Sequence, residues 1–189
     1  MAKAKFNPLL EALAGVLGDV VIKRYGRKFV IAKKPVFTHR IFSAAQKQNQ
    51  GRFKEAAKYA VTALGDSETS EAYREEAKRC GTTARSIAVR DYLNMPQVED
   101  IDLRAFDGRT KGKILVRASD DVAVMRVEVT ISDQEGNVLE QGPAELLAGK
   151  IWKYVSTISV PAGTTVTVGA SAFDRPGHSG TLQKTFEMK

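Results

Sequence analysis

The sequence predicts an α+β chain in two parts. Residues 1–97 read as a short helix, a basic β-hairpin and a helical bundle, and residues 98–189 as an antiparallel β-sandwich. Three observations predict this. Apolar residues recur at helical spacing between residues 43 and 95. After Pro96 the period switches to two, with turn residues about every 8–12 positions. Charge changes sign at the same place: residues 1–98 hold 18 Lys/Arg against 9 Asp/Glu, a balance of +9, and residues 99–189 hold 11 against 13, a balance of −2.

At the start of the chain, Asn7 is placed to cap a helix and Pro8 suits its first position. Leu9, Leu10, Leu13, Val16 and Leu17 then fall on one stripe, and Gly18 follows as a stop. So short a helix does not hold in water alone, so the stripe is expected to dock on its own chain or on a second copy. Lys3 and Lys5 precede this apolar stretch, but Glu11 and Asp19 interrupt the roughly 7–15 apolar residues that an export signal needs. Cytoplasmic synthesis is therefore expected, with later release as part of an assembly left open.

Val20, Val21 and Ile22 form one arm of a hairpin and Phe29, Val30 and Ile31 the other, with Tyr25-Gly26 near the turn and Pro35 ending the second arm. Ser43 opens a helical region in which Phe53, Ala56, Ala57, Ala60 and Leu64 keep helical spacing up to Gly65-Asp66. Asp66 or Ser67 caps a second helix that stops at Gly81, and Thr82 or Thr83 opens a third that ends at Asn94-Met95-Pro96. Strands are expected at 112–119, 124–132, 137–141, 151–158, 164–173 and 181–187, where runs such as Val127/Val129/Ile131 point to one face.

Composition narrows the function. Of 189 residues, 43 % are apolar and 27 % charged, which is ordinary globular usage. A single cysteine, Cys80, rules out an intrachain disulfide framework, and no apolar run approaches the ~20 residues of a membrane-spanning helix. The sequence holds no nucleophile elbow, P-loop or dinucleotide fingerprint. Gly108-Arg109-Thr110-Lys111-Gly112-Lys113 imitates a phosphate loop, but it is one residue short and Ile114 stands where Ser or Thr would hold Mg²⁺, so it reads as a turn. His39 and His178 read as surface residues and Cys80 as a small packed one. No enzyme activity, small-molecule substrate or cofactor is expected.

The basic segment 20–58 holds eleven Lys/Arg and one acid, Glu55. Lys23, Arg24, Arg27, Lys28, Lys33, Lys34, Arg40 and Arg52 are the candidates for tracking phosphates, with Tyr25, Phe29 and Phe37 interleaved to stack on bases. The same charges equally serve as solvated faces or as contacts to acidic patches on other subunits. Asp120, Asp121 and Asp174 are candidate Ca²⁺ ligands, but three carboxylates fall short of the 6–8 or so oxygens Ca²⁺ takes. They are read as turn-forming acids, and no metal is expected.

The run from Ala118 to Val124, Val127-Glu128-Val129, Asp133 to Asn137, Trp152-Lys153-Tyr154, Pro161 to Thr164 and Ala172 to Gly177 together resemble bacterial immunoglobulin-like domains over about residues 100–189. The resemblance implies an adhesive, spacer or decorating module. The first half, with Lys33-Lys34-Pro35 and Ser43-Ala44-Ala45-Gln46, is similar to uncharacterised bacterial proteins of the same two-part layout. Three helices with Phe53, Tyr73 and Ala77 are faintly similar to HMG-box proteins, whose core tryptophan is missing here. Together these readings predict a non-enzymatic structural or binding protein of a bacterial or phage assembly, with a protein partner or a homo-oligomer. A nucleic-acid-binding protein is the alternative and a Ca²⁺-dependent adhesin the third.

Overall fold

A computed structural model describes residues 2–4, 15–25, 28–36 and 41–188. Among these residues the chain forms three helices and eleven strands, and it divides into two compact units, Met1–Ala44 and Ala45–Lys189. The division falls before the helices, whereas charge and periodicity had placed it near residue 97. The physical reason is that the helices pack on the sheet that follows them: Val122 lies against the helical core, and Asn94 Nδ2 donates to Asp121 Oδ2 at 2.5 Å.

The first unit is an antiparallel sheet in the order β1-β4-β3-β2, from β1 (Ala2–Ala4), β2 (Gly15–Leu17), β3 (Val20–Tyr25) and β4 (Lys28–Lys33). The expected hairpin is β3–β4, in register Ile22↔Ile31, Lys23↔Val30, Arg24↔Phe29 and Tyr25↔Lys28. Alternation along the strands separates two faces. Ile22 and Phe29 are buried on one, while Lys23, Tyr25 and Lys28 are exposed on the other.

The helix expected at residues 9–17 is corrected where it can be seen. Val16 and Leu17 belong to strand β2, paired with Val21 and Val20, and both are exposed. β-branched Val16 beside the Val-Val-Ile run of β3 satisfies its backbone in a ladder rather than in a two-turn helix. Leu9, Leu10 and Leu13 lie outside the described residues.

In the second unit, α1 (Ala44–Gly65), α2 (Ser67–Cys80) and α3 (Ala84–Leu93) form a small bundle around Ala60, Ala63, Tyr73, Ala77, Ile87 and Ala88. Asp66 caps α2 by accepting from Thr69 N at 2.9 Å, and Thr83 caps α3 by accepting from Ser86 N at 3.2 Å. Gly81 ends α2 at φ 65°, a left-handed conformation that glycine adopts without a Cβ penalty.

Seven antiparallel strands follow: β5 (Gln97–Asp102), β6 (Lys113–Ser119), β7 (Arg126–Ser132), β8 (Val138–Ala148), β9 (Ile151–Val155), β10 (Thr165–Phe173) and β11 (Ser179–Glu187). Their order is β11-β10-β7-β8-β9-β6-β5. The long strand β8 serves two neighbours, pairing β7 through Val138–Ala144 and β9 through Glu145–Ala148. It thereby folds the sheet over a core that includes Ile101, Phe106, Ile114, Val116, Val129, Trp152, Val166 and Val168. The end strands β5 and β11 come together without pairing, so the sheet nearly closes into a barrel. Gly180 permits that closure, since a Cβ there would stand 1.8 Å from Pro96 O. Lys184 Nζ spans the gap to Ile101 O at 2.9 Å.

β5 was not expected as a strand, because Gln97-Val98-Glu99-Asp100 shows no alternation of its own. Only Ile101 is fully buried on it. Gly108–Gly112 lies in the connection between β5 and β6, as a turn, and Lys113 begins β6.

Candidate interaction surface and the polar joint between helices and sheet

Six of the eight basic candidates fall among the described residues. Lys23, Arg24, Lys28, Lys33 and Lys34 lie in the first unit and are exposed, while Arg52 lies in the second, on α1. Arg27, Arg40, Phe37 and His39 lie outside the described residues. Arg52 caps the end of α3 instead, donating to Leu93 O at 3.1 Å. Phe29 is 1 % exposed and cannot stack on a base. Tyr25 stays outside, and its cross-strand partner Lys28 and next-but-one neighbour Lys23 share its face.

The charge is more concentrated than the sequence reading had it. Residues 1–44 hold 9 basic and 2 acidic residues, a balance of +7, and residues 45–189 hold 20 of each. The net charge of the whole chain is therefore that of the first unit.

The three candidate calcium ligands each have other duties. Asp120 Oδ2 accepts from Val122 N at 3.3 Å and Ala123 N at 3.2 Å. Asp121 Oδ2 accepts from Asn94 and pairs with Arg90 Nε at 3.5 Å. Asp174 Oδ1 accepts from Gly177 N at 2.7 Å and His178 N at 2.6 Å, and its Oδ2 lies 3.2 Å from His178 Nδ1. Among the described residues no three His, Cys, Asp or Glu side chains gather as a metal site.

Two single residues differ from their expected places. His178 is half-buried: its side chain is 26 % exposed and meets the Tyr92 ring edge-on at 4.8 Å. Cys80 is exposed rather than packed, its thiol donating to Glu76 Oε1 at 3.1 Å. The helix C-terminus leaves no core beside it.

A buried polar joint went unread in the sequence. Tyr59 on α1, Tyr73 on α2 and Asp91 on α3 form a relay. The Tyr73 hydroxyl donates to Asp91 Oδ2 at 2.5 Å, so the Tyr59 hydroxyl, 2.8 Å away, donates to Tyr73. Tyr73 and Asp91 are fully buried. Burial, with the charges of Asp120 and Asp174 behind it, pushes the Asp91 carboxyl up to about 7, against the pull of the Tyr73 hydroxyl. Burial raises both tyrosines, Tyr73 further through its bond to Asp91. Burial also raises Asp174, opposed by the His178 and Gly177 N–H groups. Asp91 stands between Arg90 and Tyr92 in the chain. Its position four residues after Ile87 was the available signal that it faces inward.

A second carboxylate fastens β8 to the end of β9. Glu140 accepts from Ser156 Oγ at 2.7 Å, Thr157 N at 2.8 Å and Thr157 Oγ1 at 2.6 Å. Burial would raise its pKa, but these donors outweigh burial and hold it below the ordinary range. Burial and the Glu140 charge push the neighbouring Tyr154 up to about 12.

No protein-family model matches the chain, and no curated protein matches it either. Among solved structures, CopC from Methylosinus trichosporium OB3b is similar at 17 % identity and TM-score 0.38, over 49 % of this chain and 91 % of that one. A tetra-tandem repeat in the extending region of a large adhesion protein is similar at 25 % identity and TM-score 0.35, over 50 % of this chain and 24 % of that one. A conjugative transposon lipoprotein from Bacteroides eggerthii DSM 20697 is similar at 10 % identity and TM-score 0.26, over 49 % and 94 %. Likenesses this distant carry no activity or partner over to this chain.

Proposed function

We propose that this chain is a non-enzymatic binding protein that docks through its N-terminal unit, onto a second copy or a scaffold. It presents its C-terminal β unit, an immunoglobulin-like sandwich, as a recognition or spacer module. One observation carries the reading: among its described residues the first unit exposes several large apolar side chains. Val16 is 61 % exposed, Val36 75 % and Ile41 94 %, and Leu17 is exposed beside them. Among the described residues of that unit only Ile22 and Phe29 are buried apolar side chains.

A unit of 44 residues sits at the size where a fold needs outside help, from disulfides, a metal or another chain. The single cysteine lies elsewhere, at Cys80. A partner surface would supply burial, and an acidic one suits a unit that carries +7. In the second unit, α1 likewise buries nothing before Ala56. A bacterial or phage assembly is the setting we assign.

Light scattering on the full chain with Val36→Asp and Ile41→Asp together tests this. The variant is expected to lose the oligomer while the β unit keeps its unfolding transition, because both residues are already in water in the isolated chain. A variant that keeps the wild-type oligomer mass contradicts the docking role.

A second reading has its own observation. Lys23, Tyr25 and Lys28 share one exposed face, pairing two cations with an uncovered ring, which suits an unpaired nucleic-acid strand.

A further inference from the structure

An acid pair lies where α3 meets the β6–β7 loop. Asp91 accepts the Tyr73 hydroxyl on Oδ2, and its Oδ1 is buried without a donor. Asp120 acts on it both through its charge and as a hydrogen-bond partner, and both push the Asp91 carboxyl up. Asp120 gives Oδ2 to two backbone N–H groups, and its Oδ1 is likewise buried without a donor. Two ionised carboxylates in this arrangement would repel with both orphaned oxygens unsatisfied. One proton satisfies both, because a protonated carboxyl donates and the other accepts.

We propose that Asp91 keeps a proton on Oδ1 and donates it to Asp120, and that this proton is a latch holding the helical bundle to the sheet, closed in acid and released in mild alkali. The loop it holds carries Val122 onto the helical core, so release loosens the cover of that core.

The groups around the pair leave this proton its role. From α1 and α2 come Tyr59 and Tyr73, both hydroxyls already committed to the relay. On α3, Arg90 forms ion pairs with Asp121 at 3.5 Å and Glu76 at 4.0 Å, and its buried Nε, like that of Arg175, makes no hydrogen bond. From the β10–β11 loop, Asp174 adds negative charge and is itself held by His178, with Arg175 beside them acting on Tyr59. A divalent ion in place of the proton would want about 6–8 oxygens, and the pair offers two free ones.

The sign follows from the folded state holding a proton that the unfolded chain releases. The stability is full below the unfolded carboxyl range and is lost as pH rises through about 7. Thermal melting of the full chain at pH 5.5 and 8.5 reads this directly. Wild type is expected to lose roughly 4–8 °C between the two. Asp91→Asn keeps an acceptor for Tyr73 and gains a permanent donor to Asp120, so it is expected to lose that component of the pH dependence and to melt no lower than wild type at pH 8.5. Equal pH dependence in the two proteins overturns the proposal. If Asp91→Asn fails to fold, infrared spectroscopy of wild type decides. A protonated-carboxyl band present at pH 6 and lost by pH 8.5 supports the latch, and its absence at pH 6 overturns it. A rise in wild-type Tm with millimolar Ca²⁺ at pH 8.5 also overturns it, by putting a cation where the proton is placed.

Discussion

Tyr73→Phe removes one hydroxyl from the centre of the joint and nothing else. That hydroxyl donates to Asp91 at 2.5 Å and accepts from Tyr59 at 2.8 Å. Tyr59 is only half-buried and can turn its hydroxyl to water, so the cost falls on Asp91, which is fully buried. A buried polar group left without its partner costs ~1–3 kcal/mol, or roughly 2–12 °C of Tm in a chain of this size. The cost depends on pH with a definite sign. In wild type about 2 kcal/mol of the Asp91 contribution is lost between pH 5.5 and 8.5, as the carboxyl titrates near 7. The Tyr73 hydroxyl favours the ionised form, so its removal keeps Asp91 protonated to higher pH and makes ionisation costlier. The Tm deficit of Tyr73→Phe is therefore expected to be larger at pH 8.5 than at pH 5.5. Thermal melts followed by circular dichroism at the two pH values measure both quantities. A variant within 1 °C of wild type at both, or a deficit larger in acid, refutes the reasoning.

Three further outcomes follow from other parts of the chain. Gly180→Ala puts a Cβ 1.8 Å from Pro96 O, a backbone atom that cannot swing aside, and is expected to lower Tm by roughly 2–12 °C through forced separation of β11 from β5. An unchanged Tm would show that the barrel closes more loosely than described. Glu140→Gln weakens the bonds to Ser156 and Thr157; because the Glu140 pKa is depressed, its contribution is present at neutral pH and lost in acid. The variant's deficit in Tm should thus be clear at pH 7 and shrink by pH 3. Lys23→Glu with Lys28→Glu should leave the oligomer mass unchanged; if it abolishes binding to single-stranded DNA at low salt, the second reading gains the ground.

How much of this was legible in the sequence varies with the physics of each part. The caps at Asp66 and Thr83 and the stop at Gly81 are local chemistry, and they mark α2 and α3 as the structure has them. Strands β7 and β10 alternate cleanly because one face of each is buried along its length. β5 could not be read that way: it is an end strand with one fully buried residue, and its pairing with β6 decides its form. The strand at Val16 and Leu17 was missed because five apolar residues at helical spacing outweighed one β-branched residue, Val16, beside a hairpin. The unit boundary escaped because period and charge change where secondary structure changes, which is not where packing divides.

Of the candidate site, the sequence marked charged residues and missed the buried ones. Lys23 and Lys28 were named and are exposed, but their sharing a face with Tyr25 depends on register. Asp120, Asp121 and Asp174 were weighed as metal ligands and read as turn-forming acids. Asp120 and Asp174 accept local backbone N–H groups and also act on Asp91, a residue whose importance lies in partners 18 and 29 positions away in the chain.

The measurement that bears most directly on the central claim is the solution mass of the full-length protein by light scattering, at low and high salt, with and without a random-sequence duplex. The account predicts a defined oligomer whose mass the duplex leaves unchanged. A monomer at all salt concentrations that gains mass only with DNA at low salt would contradict it, and would make the basic hairpin a reader of phosphates.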